Sequence, residues 1–252
     1  MIHELLGLSD TLTLVIICIG AVATSAVHGA TGVAGGFLMS ALLAPLIGVQ
    51  AVVPVMTVMM LVSHSSRAML NRSQINWQAF KLVIVPAAPF IVVSAYFYKD
   101  LPVAFIGFLM GVVILSSIPL RRLGTRFGTT QPRTLGAMGG VYGLLSGASI
   151  GPGMVITPFL LGFGLRREHF VATLAAIAFV TNISRFTVYT STSLYDWSGI
   201  FLGALIGLLS IPGNWLGRSV LRKLSSNAHF VIVEAFSVVG ALQFFYLGYK
   251  AI

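Results

Sequence analysis

Gly29-Ala30-Thr31-Gly32-Val33-Ala34-Gly35-Gly36 decides the fold of this chain, because it recurs as Gly147-Ala148-Ser149-Ile150-Gly151-Pro152-Gly153-Met154, 118 positions later. The same offset carries Ser66-Arg67 onto Ser184-Arg185, His64 onto Asn182 and Ser63 onto Thr181. Two extra residues in the second copy bring Trp77 onto Trp197. Paired glycine-broken segments in an apolar chain are the pattern of a duplicated membrane transporter.

Composition sets the class. Of the 252 residues, 57% are hydrophobic and only 8% charged, against roughly 25% charged in soluble domains. A soluble domain cannot hide that much apolar surface, so the chain reads as an integral membrane protein in a lipid bilayer. The net charge of +9 comes from residues scattered over short loops, which excludes a nucleic-acid surface and points to topology. The one cysteine, Cys18, forms no internal disulfide. Ala21-Val22-Ala23 resembles a signal cleavage site. The stretch before it has no Lys or Arg and contains Glu4 and Asp10, whereas a signal peptide begins basic.

Apolar segments fall at about 12–28, 34–47, 51–70, 79–98 and 102–119, then 134–150, 153–164, 169–189, 198–217 and 229–249. The expected fold is all-α: one transmembrane domain over 1–252, a first repeat over 11–119, a basic linker over 120–133 and a second repeat over 134–250. Segments 34–47 and 153–164 are short. Fourteen residues at 1.5 Å each reach roughly 21 Å, less than the roughly 30 Å hydrocarbon core. Each is expected to form a half-membrane hairpin with the segment before it. Each repeat then crosses an odd number of times, and the second is inverted relative to the first.

Charge supports that arrangement. Arg121, Arg122, Arg126 and Arg133 mark the linker as cytoplasmic. Arg72, the Arg166-Arg167 turn and the loop with Arg218, Arg222 and Lys223 fall on the same side. Both termini are expected outside, in a bacterial inner membrane.

The breaks carry the first site expectation. Gly35-Gly36 and Pro152-Gly153 would open the short helices, and proline suits a helix's first turn. A helix N-terminus holds about half a positive charge, so two such tips facing each other form an anion site. Thr31 and Ser149 are matched hydroxyls there. Close helix packing by small residues explains the glycines equally well. Arg67 and Arg185 come next, since a guanidinium grips a carboxylate or sulfonate through two parallel hydrogen bonds. Arg67, near Arg72, also suits snorkelling to headgroups. Arg185 falls on the side where positive charge is disfavoured. The expected substrate-binding set is Thr31, Gly35, Gly36, Arg67, Ser149, Gly153, Asn182 and Arg185. His28, His64 and Glu234 are the ionisable residues inside spans, hence candidates for proton coupling. A structural hydrogen bond for His28, and a pairing of Glu234 with Arg222 or Lys223, are the plainer readings. No cofactor or metal is expected, since no carboxylate or cysteine has ligand spacing to the histidines.

At these residues the chain resembles the sulfite exporter TauE/SafE family of membrane permeases. The resemblance rests on Gly32-Val33-Ala34-Gly35-Gly36-Phe37-Leu38, Gly151-Pro152-Gly153-Met154-Val155, Gly164-Leu165-Arg166-Arg167, Val171-Ala172-Thr173 and Asn182. Pro152 and Ala34 stand where the family commonly has glycine. The resemblance implies a secondary carrier that exports sulfite, sulfonates or other small organic anions. Import of thiosulfate, sulfate or small carboxylates on the same fold is the alternative. A coupling ion (a proton or a counter-anion) and a homodimer partner are further expectations. An intramembrane enzyme would have only Ser146 and Ser149 as nucleophiles, with no HExxH or nucleophile-elbow pattern. No Walker-type ATP loop occurs. A scaffold subunit would have no use for paired intraspan arginines.

Overall fold

The structure is a computed structural model that describes residues 10–31, 35–70, 72–123, 130–221 and 226–252. These residues form ten α-helices and no strand. The helices are α1 (Thr11–Thr31), α2 (Gly35–Ile47), α3 (Val49–Leu70), α4 (Trp77–Phe97), α5 (Val103–Leu123), α6 (Pro132–Ala148), α7 (Gly153–Gly162), α8 (Arg167–Ser191), α9 (Trp197–Leu221) and α10 (Ser226–Lys250). Each expected apolar segment is a helix. The ends of the expected linker are helical too, since α5 runs through Leu123 and α6 begins at Pro132.

Five described helices, α1, α4, α5, α8 and α9, are long and apolar enough to cross a membrane. Their outer faces display Leu12, Ile19, Val85, Phe105, Leu208 and Trp215. Bare hydrocarbon on a helix surface is stable only in lipid, where helices satisfy their own backbone. With α2 at 13 residues and α7 at 10, their lengths are about 20 and 15 Å, well short of a crossing. Each stops at a glycine of positive φ, Gly48 (84°) and Gly164 (93°), a conformation that ends helices cheaply only without a Cβ.

Packing interleaves the two halves of the chain. α1 lies along α9, and α6 lies along α4. α3 touches α9, and α8 touches α4. α2 meets α10, α7 meets α5, and the contacts of α3 with α8 and α5 with α10 close the set. Exchanging α1–α5 with α6–α10 maps each of these contacts onto another or onto itself.

Glycine faces allow this closeness. A Cβ on Gly139 would sit 2.6 Å from the Val83 carbonyl oxygen, and one on Gly143 would collide with that of Ala87. In the other half, Gly213 and Gly217 bring α9 against the carbonyls of Val22 and Ala26 of α1. In lipid no hydrophobic force presses helices together, so such close van der Waals contact carries much of the association.

Helix starts are also matched. Asn76 caps α4 by accepting from the Ala79 N–H at 2.9 Å. Asp196 caps α9, accepting from the Gly199 N–H at 2.8 Å and the Ser198 hydroxyl at 2.6 Å. Those donors hold the Asp196 carboxyl below its usual range. The cap's stabilisation is therefore present above the ordinary carboxylate pKa and is lost as pH falls through the lowered value. Asp196→Ala is expected to cost about 1 kcal/mol at neutral pH and progressively less in acid, read from thermal midpoints in detergent. Gly143→Val is expected to lower that midpoint by an amount equivalent to roughly 1–3 kcal/mol. Gly140→Ala, whose Cβ would meet only the Phe90 ring at 3.4 Å, should leave it unchanged.

Candidate functional site

A cavity of about 80 Å³ lies where the two glycine breaks meet. Gly36 at the start of α2 and Gly153 at the start of α7 both line it. The remaining wall comes from α1, α3, α6 and α8. A Cβ on Gly36 would lie 3.9 Å from a methyl of Ile150 in the other break, so the breaks are in van der Waals reach.

Backbone chemistry at the α7 tip differs from a simple fan of free donors. Gly151, at φ 100°, turns the chain so that Pro152 caps the helix. Pro152 has no N–H. The N–H of Met154 donates to Gly151 O (3.0 Å), and those of Val155 and Ile156 donate to Pro152 O (2.8 and 3.4 Å). The tip therefore contributes its dipole field more than its hydrogen bonds.

The fixed charge comes from α8. Arg185 is only 3% exposed and lines the cavity. Its Nη2 reaches Val53 O at 3.5 Å, the edge of a hydrogen bond, and its guanidinium lies 5.8 Å from the Tyr189 ring centroid. Its Nε has no partner. No acidic residue lines the cavity among the described residues. A guanidinium carries five N–H donors, and the Nε–H of this one is left unused. Stripping a cation of water costs several kcal/mol unless a counter-charge restores it.

Neighbouring polar groups are held by their own helices. Thr181 Oγ1 donates to Ile177 O (2.8 Å) and Ser184 Oγ to Val180 O (3.0 Å). The amide nitrogen of Asn182 donates to Ala178 O (2.7 Å), leaving Oδ1 as a buried acceptor without a partner. Tyr142, from α6, shares a hydrogen bond with Thr181 at 3.1 Å.

Three tyrosines lie beside the arginine. Tyr189 donates to Gly147 O (2.5 Å), a carbonyl in the last turn of α6 that has no helical partner. Tyr98 donates to Gln50 O (2.9 Å) and Tyr195 to Pro54 O (3.1 Å). Pro54, inside α3, lacks the N–H that would have occupied Gln50 O. The proline thus frees the acceptor that Tyr98 uses.

The Sulfite exporter TauE/SafE family matches residues 16–244. The chain belongs to that family. Its members are membrane transporters, and the many apolar helices make this one a multi-pass membrane protein. No curated protein and no solved structure matches the chain.

Within this TauE/SafE chain, Gly36, Gly153, Asn182 and Arg185 of the expected set meet at the cavity, together with His28 and His64. Gly35 packs behind it, since a Cβ there would strike His28 and the Thr24 carbonyl. Ser149 is not in the wall, and its hydroxyl donates to Leu145 O at 2.7 Å. Glu234 lies on α10, away from the lining. The side chains of Thr31 and Arg67 lie outside the described residues.

Tyr142, Ser146 and Met60 belong to the wall and were not in the expected binding set. A sequence signal for two of them existed. His28 and Ser146 are 118 positions apart, as are Met60 and Ala178, and as are His64 and Asn182. All six line the cavity, so it falls at corresponding positions of both halves. Tyr142 has no such signal, because its counterpart is Thr24. Ala178→Met, which copies Met60 into the other half, should fill the cavity. Its expected outcome is loss of anion binding in calorimetry with an unchanged or raised thermal midpoint.

Proposed function

We propose that this TauE/SafE protein is a secondary carrier that holds a small anion against Arg185, in the cavity between its two broken helix pairs. The observation that carries the reading is a buried guanidinium facing a cavity whose described wall contains no carboxylate. A structural arginine in an apolar interior would use more of its donors. This one keeps Nε unpartnered, and an anion would meet that donor and the desolvation cost together.

The cavity's volume of about 80 Å³ is several times the roughly 10–15 Å³ that one water needs, room for a small anion such as sulfite or methanesulfonate. Export is the direction the family description implies.

The exchange of helix contacts between α1–α5 and α6–α10 supports reading residues 11–119 and 134–250 as inverted repeats. Arg-rich segments 120–133, 164–168 and 218–228 then face the cytoplasm, and both termini face outward. Alternating access would come from movement of one set of interleaved helices against the other around the cavity.

The experiment is anion counterflow in liposomes reconstituted with purified protein. Wild type is expected to exchange sulfite. Arg185→Ala should lose at least about tenfold in rate while keeping its elution profile, because removing a charged hydrogen-bonding partner costs roughly 1.5–3 kcal/mol. Arg185→Lys keeps the charge but not the planar fork and should fall between them. Counterflow that is undiminished in Arg185→Ala would refute the assignment.

A further inference from the structure

The cavity wall divides its chemistry between the two halves of the chain. The second half supplies Arg185 and Asn182. At corresponding places the first half supplies His28, opposite number of Ser146, and His64, opposite number of Asn182. The two imidazoles meet edge to face, with ring centroids 6.4 Å apart and planes inclined by 72°. One comes from the last turn of α1 and the other from α3. Two histidines in contact, both lining a cavity that holds a fixed cation, are an arrangement that neither helix packing nor anion binding alone requires.

We propose that the His28–His64 pair is a proton-binding site coupled to anion occupancy at Arg185, so that cargo and proton enter the cavity together. The inference rests on the anion reading of Arg185. Electrostatics gives its sign. With the cavity empty, the guanidinium disfavours a second positive charge nearby. An anion on Arg185 removes that penalty and favours the imidazolium. By linkage, a proton on the pair tightens the anion by the same factor. Among the described residues, the other groups facing the pair are few. Tyr142 lines the cavity from α6, and Arg185 does so from α8. The helices packed against α1 and α3 bring no further ionisable side chain to the wall among the described residues. The unpartnered Oδ1 of Asn182 adds an acceptor that a water or an acid O–H can fill.

The proton comes from water on the side to which the cavity opens, adds to an imidazole nitrogen and leaves by the same route after the cavity reopens. Movement of a monoanion with one proton is electroneutral. Direction then follows the combined gradient of the acid, and cargo accumulated inside leaves with an acid equivalent.

The test is calorimetric titration of the full-length protein with methanesulfonate, whose charge is constant between pH 6 and pH 8. Each titration is repeated in two buffers of different ionisation enthalpy to count protons. The proposal expects uptake of up to one proton per anion, and an affinity at least about tenfold weaker at pH 8 than at pH 6, within the usual range of site-to-site coupling. His28→Gln/His64→Gln should still bind methanesulfonate, with proton uptake reduced to near zero and the pH dependence flattened. If the double variant does not fold, the single variants His28→Ser and His64→Asn, which copy the other half's residues, are read by the same count. Equal affinity at both pH values without proton uptake in wild type overturns the proposal and leaves the anion site standing. Unchanged proton uptake in the histidine variants also overturns it. Absence of methanesulfonate binding at either pH overturns the anion reading and this one with it.

Discussion

A desolvated positive charge, with no carboxylate to answer it among the described residues, is the constraint around which this protein is organised. Arg185 sits in the interior of a helical bundle whose outer surface is hydrocarbon. Water cannot solvate it as it would at a surface. The protein offers it a long contact to Val53 O and the ring and hydroxyl of Tyr189. Burial of a lone cation is among the most costly arrangements an apolar interior can hold. On the proposed reading the missing partner is an anionic cargo, whose arrival offsets the cost.

Everything that positions this charge depends on close backbone approach. The glycine faces of α6 and α9 let helices of one half lie against helices of the other. Gly36 and Gly153 bring two helix starts to one cavity. Pro54 frees the Gln50 carbonyl for Tyr98, and its own carbonyl accepts from Tyr195. Tyr98 ties the turn after α4 to α3, Tyr195 ties the turn after α8 to α3, and Tyr189 ties α8 to α6. The polar frame thus lies beside the arginine, while the histidine pair comes from α1 and α3.

Much of this was legible in the chain itself. Ten apolar segments were visible from composition, because in lipid a run of apolar residues has few alternatives to a helix. The 118-residue offset pairs Gly35 with Gly153, His64 with Asn182 and Arg67 with Arg185, and Gly153, His64, Asn182 and Arg185 all line the cavity. Ser149 was less readable. Its hydroxyl suits an anion, but its own helix offers Leu145 O within 2.7 Å, and local backbone competes well for serine. Glu234 is on α10 and not in the cavity lining, and a one-dimensional pattern cannot say which face of α10 it occupies. The closure of the α7 tip by Gly151 and Pro152 carbonyls was equally hidden, since it depends on the φ of one glycine. The tyrosine frame was hidden because Tyr98, Tyr142, Tyr189 and Tyr195 have no matched partners 118 positions away.

The most direct measurement is a crystal structure of the protein with selenite, whose selenium scatters anomalously and whose shape and charge follow sulfite. The account predicts an anomalous peak inside the cavity, with oxygens in hydrogen-bond reach of the Arg185 guanidinium. Strong selenite peaks confined to surface arginines, with the cavity closed over by apolar side chains, would contradict it.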